Sequence, residues 1–454
     1  MRFTVTRSAR AARAALLATV LIAASPMAAA AADTAAVFKP TKAQSALIRT
    51  AKASGAADLS ARAGPNDGLI LNGKLDGRTF ALAIPAGWRG DALLHAHGYT
   101  LPGTPERISD DPTSRLSGGS GIMAVAYGDG LAAGASAYDK SGMAVEAGVK
   151  ATLRLRELVK ALGAQRVYVN GSSMGGNIVM TLVETQPRAF DGAIAQCGVT
   201  DGWERELGQL TDLRAAYNQL TAGTPYALPG VQDATRSAMP IVPPPGEDGD
   251  AFRRKQVLAL TAPIVALFKA AEAAPEGREA RIVRQVASIG GFEPELASFV
   301  LPFVTLGFGA DDFRATFGGQ VYGNQDKVYR SLDMTPAEAE AFNRGVQRFA
   351  ADPAAVAEAR RWRQVTGRFE TPLVSIHNRI DSLVPYAHAE SLTRIVAAAG
   401  NGERLIQFTA PAVQAPLPIG GKGYDHCGFS QDEMRGVWRT LRTWVESGRR
   451  PAVD

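Results

Sequence analysis

Ser173 stands in Gly171-Ser172-Ser173-Met174-Gly175, a Gly-x-Ser-x-Gly pattern that occurs once in the 454 residues. Val167-Tyr168-Val169, β-branched and aromatic, runs into it, and a helix-forming run leaves it. A strand that turns at once into a helix holds the central Ser in a strained backbone region and lifts its hydroxyl out of the turn. The residues two before and two after crowd each other, so both are Gly. The helix N-terminus then points free N–H groups at any anion that forms beside the Ser. The chemistry this spells is attack by a serine oxygen. A hydroxyl is a poor nucleophile until a base takes its proton, and the base needs a carboxylate to fix its tautomer.

Partners for Ser173 are expected on loops after later strands, acid before base. Asp381 closes His377-Asn378-Arg379-Ile380-Asp381, just past an apolar strand, and is followed by Ser382-Leu383-Val384-Pro385. His426 lies in Gly423-Tyr424-Asp425-His426-Cys427-Gly428-Phe429, between the last strand and the last helix. Rival acids are Asp425, Asp201 and Asp129. Asp425 adjoins His426 and points away from it in an extended loop, while Asp201 would serve if the acid sat after the strand ending at Cys197. Of the other histidines, His97 reads as a turn-stabilising residue, His95 as core, His377 as a strand end near Asp381, and His388 as a solvated helix residue.

The elements that must position these residues follow from apolar periodicity. Leu69–Leu75 and Arg78–Ile84 read as two strands joined by the tight-turn pair Asp76-Gly77. Strands are also expected at 92–99, at 121–127, before Ser173, at 193–197, at 372–377 and at 404–409. Helices are expected at 142–162, 174–186, 387–399 and 432–446, and residues 33–65 read as a helix or loose arm. Near-continuous apolar strands alternating with helices imply a mostly parallel sheet. That rhythm stops between about 200 and 370. There a mainly helical insertion is expected, with helical runs at 255–273, 279–288 and 336–363 and the apolar stretch Phe299–Val304 between them. Gly290-Gly291 and Gly318-Gly319 are hinge candidates in it.

Taken together, Gly171-Ser172-Ser173-Met174-Gly175, Asp381 in its D-x-x-V-P setting, His426, and His97-Gly98 after an early strand make the chain similar to the α/β-hydrolase superfamily. Within it the chain resembles the secreted serine esterases and lipases that carry a cap domain. The resemblance covers about 69–200 and 370–448. It implies an α/β fold with helices on both faces of the sheet and a helical cap over 201–370. It also implies a Ser173–His426–Asp381 triad and an oxyanion hole from the backbone N–H groups of Met174 and Tyr99. The implied reaction is hydrolysis of carboxylic esters through an acyl-enzyme, with no cofactor. An exported serine peptidase, which would need acidic cap residues such as Glu293, Glu295 or Asp311 to hold a free amine, and an acyltransferase share the same machinery. Apolar cap residues such as Leu260, Phe299, Phe303 and Phe313 pack the core, and some of them are expected to roof an apolar or aromatic substrate pocket.

Arg2, Arg7, Arg10 and Arg13 precede the apolar run 14–24 and a small-residue tract ending near Ala30-Ala31-Ala32. This is the pattern of a cleaved secretory signal over residues 1–32, leaving a core in two parts, 33–200 and 371–454, around the insertion. The formal net charge is +5. The four leader arginines account for all but one unit of it, so composition points to no nucleic-acid or anionic-membrane partner. No stable membrane span is expected once the leader is gone. The two Cys, 197 and 427, fall on the catalytic edge of the proposed sheet. In an exported chain they are expected to bond and pin the His426 loop; the alternative is two separate buried thiols. No C-x-x-C or H-E-x-x-H spacing suggests a metal.

Overall fold

The computed structural model describes residues 38–105, 108–114 and 121–452. The expected leader, 1–32, lies outside them. The chain opens with α1 (Lys42–Ala53), whose N-terminus is closed by a reciprocal cap between Thr41 and Gln44. The edge strand β1 (Ala57–Ala63) follows, so the segment read as an arm contains a helix and a strand. Next come β2 (Leu69–Leu75), β3 (Arg78–Ile84), β4 (Asp91–Ala96), α2 (Ile122–Gly128), β5 (Ala132–Ser136), α3 (Val145–Ala161), β6 (Arg166–Ser172), α4 (Met174–Thr185) and β7 (Gly192–Gln196). Six helices then intervene: α5 (Trp203–Thr221), α6 (Gly249–Ala273), α7 (Arg278–Gly290), α8 (Ala297–Phe317), α9 (Pro336–Gly345) and α10 (Pro353–Arg363). The core resumes with β8 (Leu373–Asn378), α11 (Ala387–Ala398), β9 (Leu405–Ala410), the small hairpin β10 (Gln414–Pro416) and β11 (Lys422–Tyr424), and α12 (Gln431–Ser447).

Nine strands form one sheet in the order β1-β2-β3-β5-β4-β6-β7-β8-β9. The pairs β1/β2, β2/β3 and β3/β5 are antiparallel, and all pairs from β5 through β4 to β9 are parallel. Register aligns the carboxyl ends: Ala96 pairs with Gly171, Ser172 with Gln196, and Gln196 with Ile376. Loops leaving β4, β6, β7 and β8 therefore emerge along one edge, where open α/β sheets place their ligand sites. The faces are closed by helices with apolar stripes. On α12, Met434, Val437, Trp438, Leu441 and Trp444 are buried at helical spacing, and the helix packs on β7 and β8. On the other face α4 is buried from Met174 to Val183.

Three expectations need correction. Residues 121–127 are not a strand but α2: Ile122, Met123, Ala126 and Tyr127 are the buried positions, a helical spacing that a short apolar run hides. The strand in that unit is β5, Ala-Ala-Gly-Ala-Ser, fully buried between β3 and β4. Its small residues fit where Gly134 meets the Ala81 carbonyl, and they carry no β-branched signal. In the insertion, Phe299–Val304 lies within α8, and 336–363 is two helices rather than one. Gly291 and Gly318 have φ of 76° and 77° and end α7 and α8 as left-handed caps, which accounts for glycine at both places.

Candidate active site

Ser173 follows β6 with φ 59° and ψ −123°, a conformation few L-residues adopt. A Cβ on Gly171 would strike the Gly175 carbonyl, and one on Gly175 would strike the Ala96 carbonyl. The turn is that tight because β6, α4 and β4 converge there. The Ser173 N–H donates to the Gln196 carbonyl at 3.0 Å, tying the elbow to the end of β7. Met174 is the first helical residue, so its N–H belongs to the unpaired first turn.

The His97-Gly98-Tyr99 turn closes over the serine. A Cβ on Gly98 would sit 3.3 Å from Ser173 Cβ and 3.8 Å from its Oγ. His97 holds the turn as expected: Nδ1 bonds the Gly98 carbonyl at 2.9 Å, and its ring stacks on Tyr138 with centroids 3.7 Å apart. The Tyr138 hydroxyl donates to the His97 carbonyl at 3.0 Å. No loop or cap hydrogen bond among the described residues takes up the backbone N–H of Tyr99 or Met174. The N–H groups of Met174, next to Ser173, and of Tyr99, next to Gly98, are thus not taken up by loop or cap bonds.

Asp381 and His426 meet directly. His426 Nδ1 lies 2.7 Å from Asp381 Oδ1. The same oxygen accepts the N–H groups of Leu383 and Val384, each at 2.9 Å, and Oδ2 accepts that of Cys427 at 3.0 Å. The D-x-x-V-P spacing thus makes a turn around its own carboxylate. Burial works against the charge on Asp381, but His426 and the N–H bonds outweigh it and hold the carboxyl below its ordinary value. For His426, burial would lower the pKa. The charge and hydrogen bond of Asp381, with Glu206 and Asp425 adding, raise it instead. With Nδ1–H given to Asp381, Nε2 keeps its lone pair.

Cys197 and Cys427 are bonded, with Cα atoms 5.5 Å apart and 230 positions between them in sequence. Cys197 follows β7, and Cys427 adjoins His426, whose Nε2 stands 3.5 Å from the Cys427 sulfur. Cys197 (φ 40°) and Cys427 (φ 57°) join Ser173 among the few non-glycine residues with positive φ, so backbone strain gathers along this edge. The path from serine to imidazole runs Ser173 N–H to Gln196, to Cys197, across the disulfide to Cys427, to His426. No Ser173–His426 hydrogen bond occurs among the described residues. Such bonds are often long in a resting enzyme and tighten with substrate bound.

The rival acids have other partners. Asp201 accepts Ser391 Oγ at 2.7 Å and pairs with Arg205 at 3.1 Å. Asp129 accepts the Trp438 indole N–H at 2.9 Å, on the side of the sheet that α12 covers. His377 is buried and bonds the Val384 carbonyl at 2.8 Å, bracing the Asp381 turn. His388 is a correction: it is fully buried, not solvated. Its Nδ1 accepts the Asp201 N–H at 3.0 Å, and its Nε2 stands 3.0 Å from a carboxyl oxygen of Glu206. Neither Glu206 nor His388 carried a sequence signal, because the two residues meet only in the fold, from elements far apart in the chain.

The insertion grips both the His426 loop and the Tyr99 turn through α8. At its start, Glu295 accepts the N–H groups of Ala297 (2.9 Å), Ser298 (2.5 Å) and Tyr424 (3.2 Å), the last only two residues before His426. Farther along, Phe313 packs on Tyr99 with ring centroids 5.4 Å apart, and Asp312 accepts the Met143 N–H at 2.7 Å. Trp203 joins Phe313 at 6.5 Å, which gives an aromatic cluster next to the Tyr99 turn.

Sheet order, strand–Ser–helix turn and loop placement are those of an α/β-hydrolase fold. Residues 145–224, which run from α3 through the Ser173 elbow into α5, match the model of the prolyl oligopeptidase family. No curated protein sequence matches the chain. Among solved structures, feruloyl esterase B from Aspergillus oryzae is similar at 15% identity and TM-score 0.45, covering 85% of this chain and 82% of that one. Another esterase from Aspergillus oryzae gives 15% identity and TM-score 0.42, with 85% and 80% covered. The rice cell wall degrading esterase LipA from Xanthomonas oryzae gives 13% and 0.33, with 81% and 87% covered. At such identities and TM-scores the activities of those proteins do not transfer to this chain.

Proposed function

We propose that the protein is a serine hydrolase of carboxylic esters. Ser173 Oγ attacks the acyl carbon while His426 Nε2 takes its proton. Asp381 holds the imidazole by Nδ1 and balances the charge it gains. The N–H groups of Met174 and Tyr99 receive the oxyanion. His426 then returns the proton to the leaving alcohol, and water, activated the same way, releases the acid. The observation that carries this reading is the 2.7 Å His426–Asp381 bond on the same sheet edge as the strained Ser173.

The leader pattern and the buried disulfide support an exported protein, secreted or periplasmic. The helices between β7 and β8 act as a cap. Tyr99, Phe313 and Trp203 favour an acyl or alcohol part that is apolar or aromatic.

A peptidase is the second reading, and the match over 145–224 favours it. Against it stands the state of the cap acids. Glu295 is spent on three backbone N–H groups, Asp311 is paired with Arg236 at 2.5 Å, and Glu293 is exposed. A fluorophosphonate probe should label the wild type and not Ser173→Ala. A p-nitrophenyl ester series should then be turned over. Labelling that persists in Ser173→Ala would overturn the reading, and cleavage of aminoacyl amides with every ester refused would move it to the peptidase.

A further inference from the structure

The turn that carries the Tyr99 N–H rests on a second loop, residues 138–143, and that loop is fastened to the insertion. Tyr138 stacks its ring on His97, and its hydroxyl donates to the His97 carbonyl at 3.0 Å. On the far side of Tyr99, Thr100 and Gly142 form an isolated antiparallel bridge, with the Gly142 N–H given to the Thr100 carbonyl at 3.1 Å. Ser141 Oγ accepts the Gly103 N–H at 2.9 Å. Tyr99 is therefore bracketed by ties to one loop. From α8, Asp312 Oδ2 accepts the Met143 N–H at 2.7 Å. Lys140 Nζ stands 3.5 Å from Asp312 Oδ1 and 2.9 Å from Thr316 Oγ1. The carboxylate lies so close to Gly142 that a Cβ there would come within 2.3 Å of Oδ2, and the φ of 78° at this residue also favours glycine. Three residues before Asp312, a Cβ on Gly309 would come within 2.3 Å of the Tyr99 hydroxyl, a buried group with no hydrogen-bond partner among the described residues. The Tyr99 ring is thus seated over Gly309, while its main chain is steadied through residues 142 and 143.

We propose that Asp312 is a positioning residue of the reaction: from the insertion it holds Gly142 and Met143 against Thr100, and so fixes where the Tyr99 N–H stands. This rests on the serine-hydrolase reading above, with Tyr99 as an oxyanion donor. Each link is a contact or a peptide bond. Asp312 bonds Met143, Gly142 bonds Thr100, and Tyr99 lies between Thr100 and Gly98. Gly98 in turn packs on the nucleophile, where a Cβ would sit 3.3 Å from Ser173 Cβ. A carboxylate bound to a backbone N–H makes a strong, charge-assisted tie, suited to pinning a loop. An oxyanion donor is useful only if it is already in place, because the charge it meets develops in the transition state. Slackening the 138–143 loop therefore slows the chemical step more than it weakens binding of the ester. The inserted helices are on this account part of the catalytic frame, through one carboxylate that touches no substrate.

The test compares wild type, Asp312→Ala, Asp312→Asn and a Ser173→Ala control. Each is assayed on one p-nitrophenyl ester and titrated with a trifluoromethyl ketone, whose serine adduct carries an oxyanion like that of the transition state. Asp312→Ala leaves the Met143 N–H without its acceptor. It should lower kcat by about tenfold to a hundredfold, change KM by less than about threefold, and weaken the ketone by the same factor as kcat/KM. Asp312→Asn keeps an acceptor oxygen and should stay within about fivefold of wild type. A merely structural role would lower the melting temperature and leave kcat and ketone affinity of the folded protein unchanged. That result, or a loss confined to KM, overturns the proposal. Should Asp312→Ala not fold, Lys140→Met takes its place, since it removes the half-exposed partner of the same carboxylate. Its kcat and ketone affinity should then fall together by about threefold, and no change in either overturns the proposal. Turnover surviving in Ser173→Ala would instead sink the underlying hydrolase reading, so the two failures are distinct.

Discussion

Asp381 accepts four hydrogen bonds, three from backbone N–H groups and one from His426, so removing its charge leaves much of the local frame in place. Asp381→Asn should fold, with a melting curve near wild type, and lose about 10⁴-fold in kcat, because the amide disturbs the tautomer of His426. A rate close to wild type would dismiss Asp381 as the acid. Since the His426 pKa lies above its ordinary 6.5, the acid limb of kcat/KM should have its midpoint above that value, with activity lost as pH falls through it. In Asp381→Asn the midpoint should move down. The same raised value links to stability. The contribution of His426 is fully present below its unfolded pKa and fades as pH rises through the folded one, which denaturant midpoints at several pH values will follow. Ser173, Asp381 and His426 were legible in sequence because each sits in a local pattern with a local cause: an elbow, a carboxylate-centred turn, a loop after the last strand. Glu206 and His388 were not, because they meet across a contact between helices at positions 206 and 388, far apart in sequence.

Elements were readable where their period was long. The hairpin β2–β3 begins and ends where Asp76-Gly77 and the alternation place it, and α12 shows its stripe openly. The failures included α2 and β5, one too short to reveal its period and the other built of residues without strand preference, and in the insertion the break between α9 and α10. The role of α8 was also hidden, since its bonds reach across the fold. Glu295→Gln weakens a carboxylate that serves three backbone donors, and should cost about 1–2 kcal/mol in stability. By loosening the strand before His426 it should also reduce kcat more than it changes KM. Unchanged kcat beside a lowered melting temperature would reduce Glu295 to a helix cap.

At the scale of the whole molecule, one bond joins the two parts of the core across the inserted helices. The Cys197–Cys427 disulfide closes a loop of 230 residues and ends beside His426. Cys197→Ser with Cys427→Ser should lower stability by about 2–5 kcal/mol. Dithiothreitol should depress wild-type turnover and leave the double variant unaffected. Mass mapping that finds two free thiols in the purified protein would remove this bond from the account. The six inserted helices hold a further consequence. Because α8 is fastened to the His426 strand at one end and leans on the Tyr99 turn farther along, it is a crossbeam and not a door. Strain on the outer helices would therefore be transmitted to the His426 loop and the Tyr99 turn together.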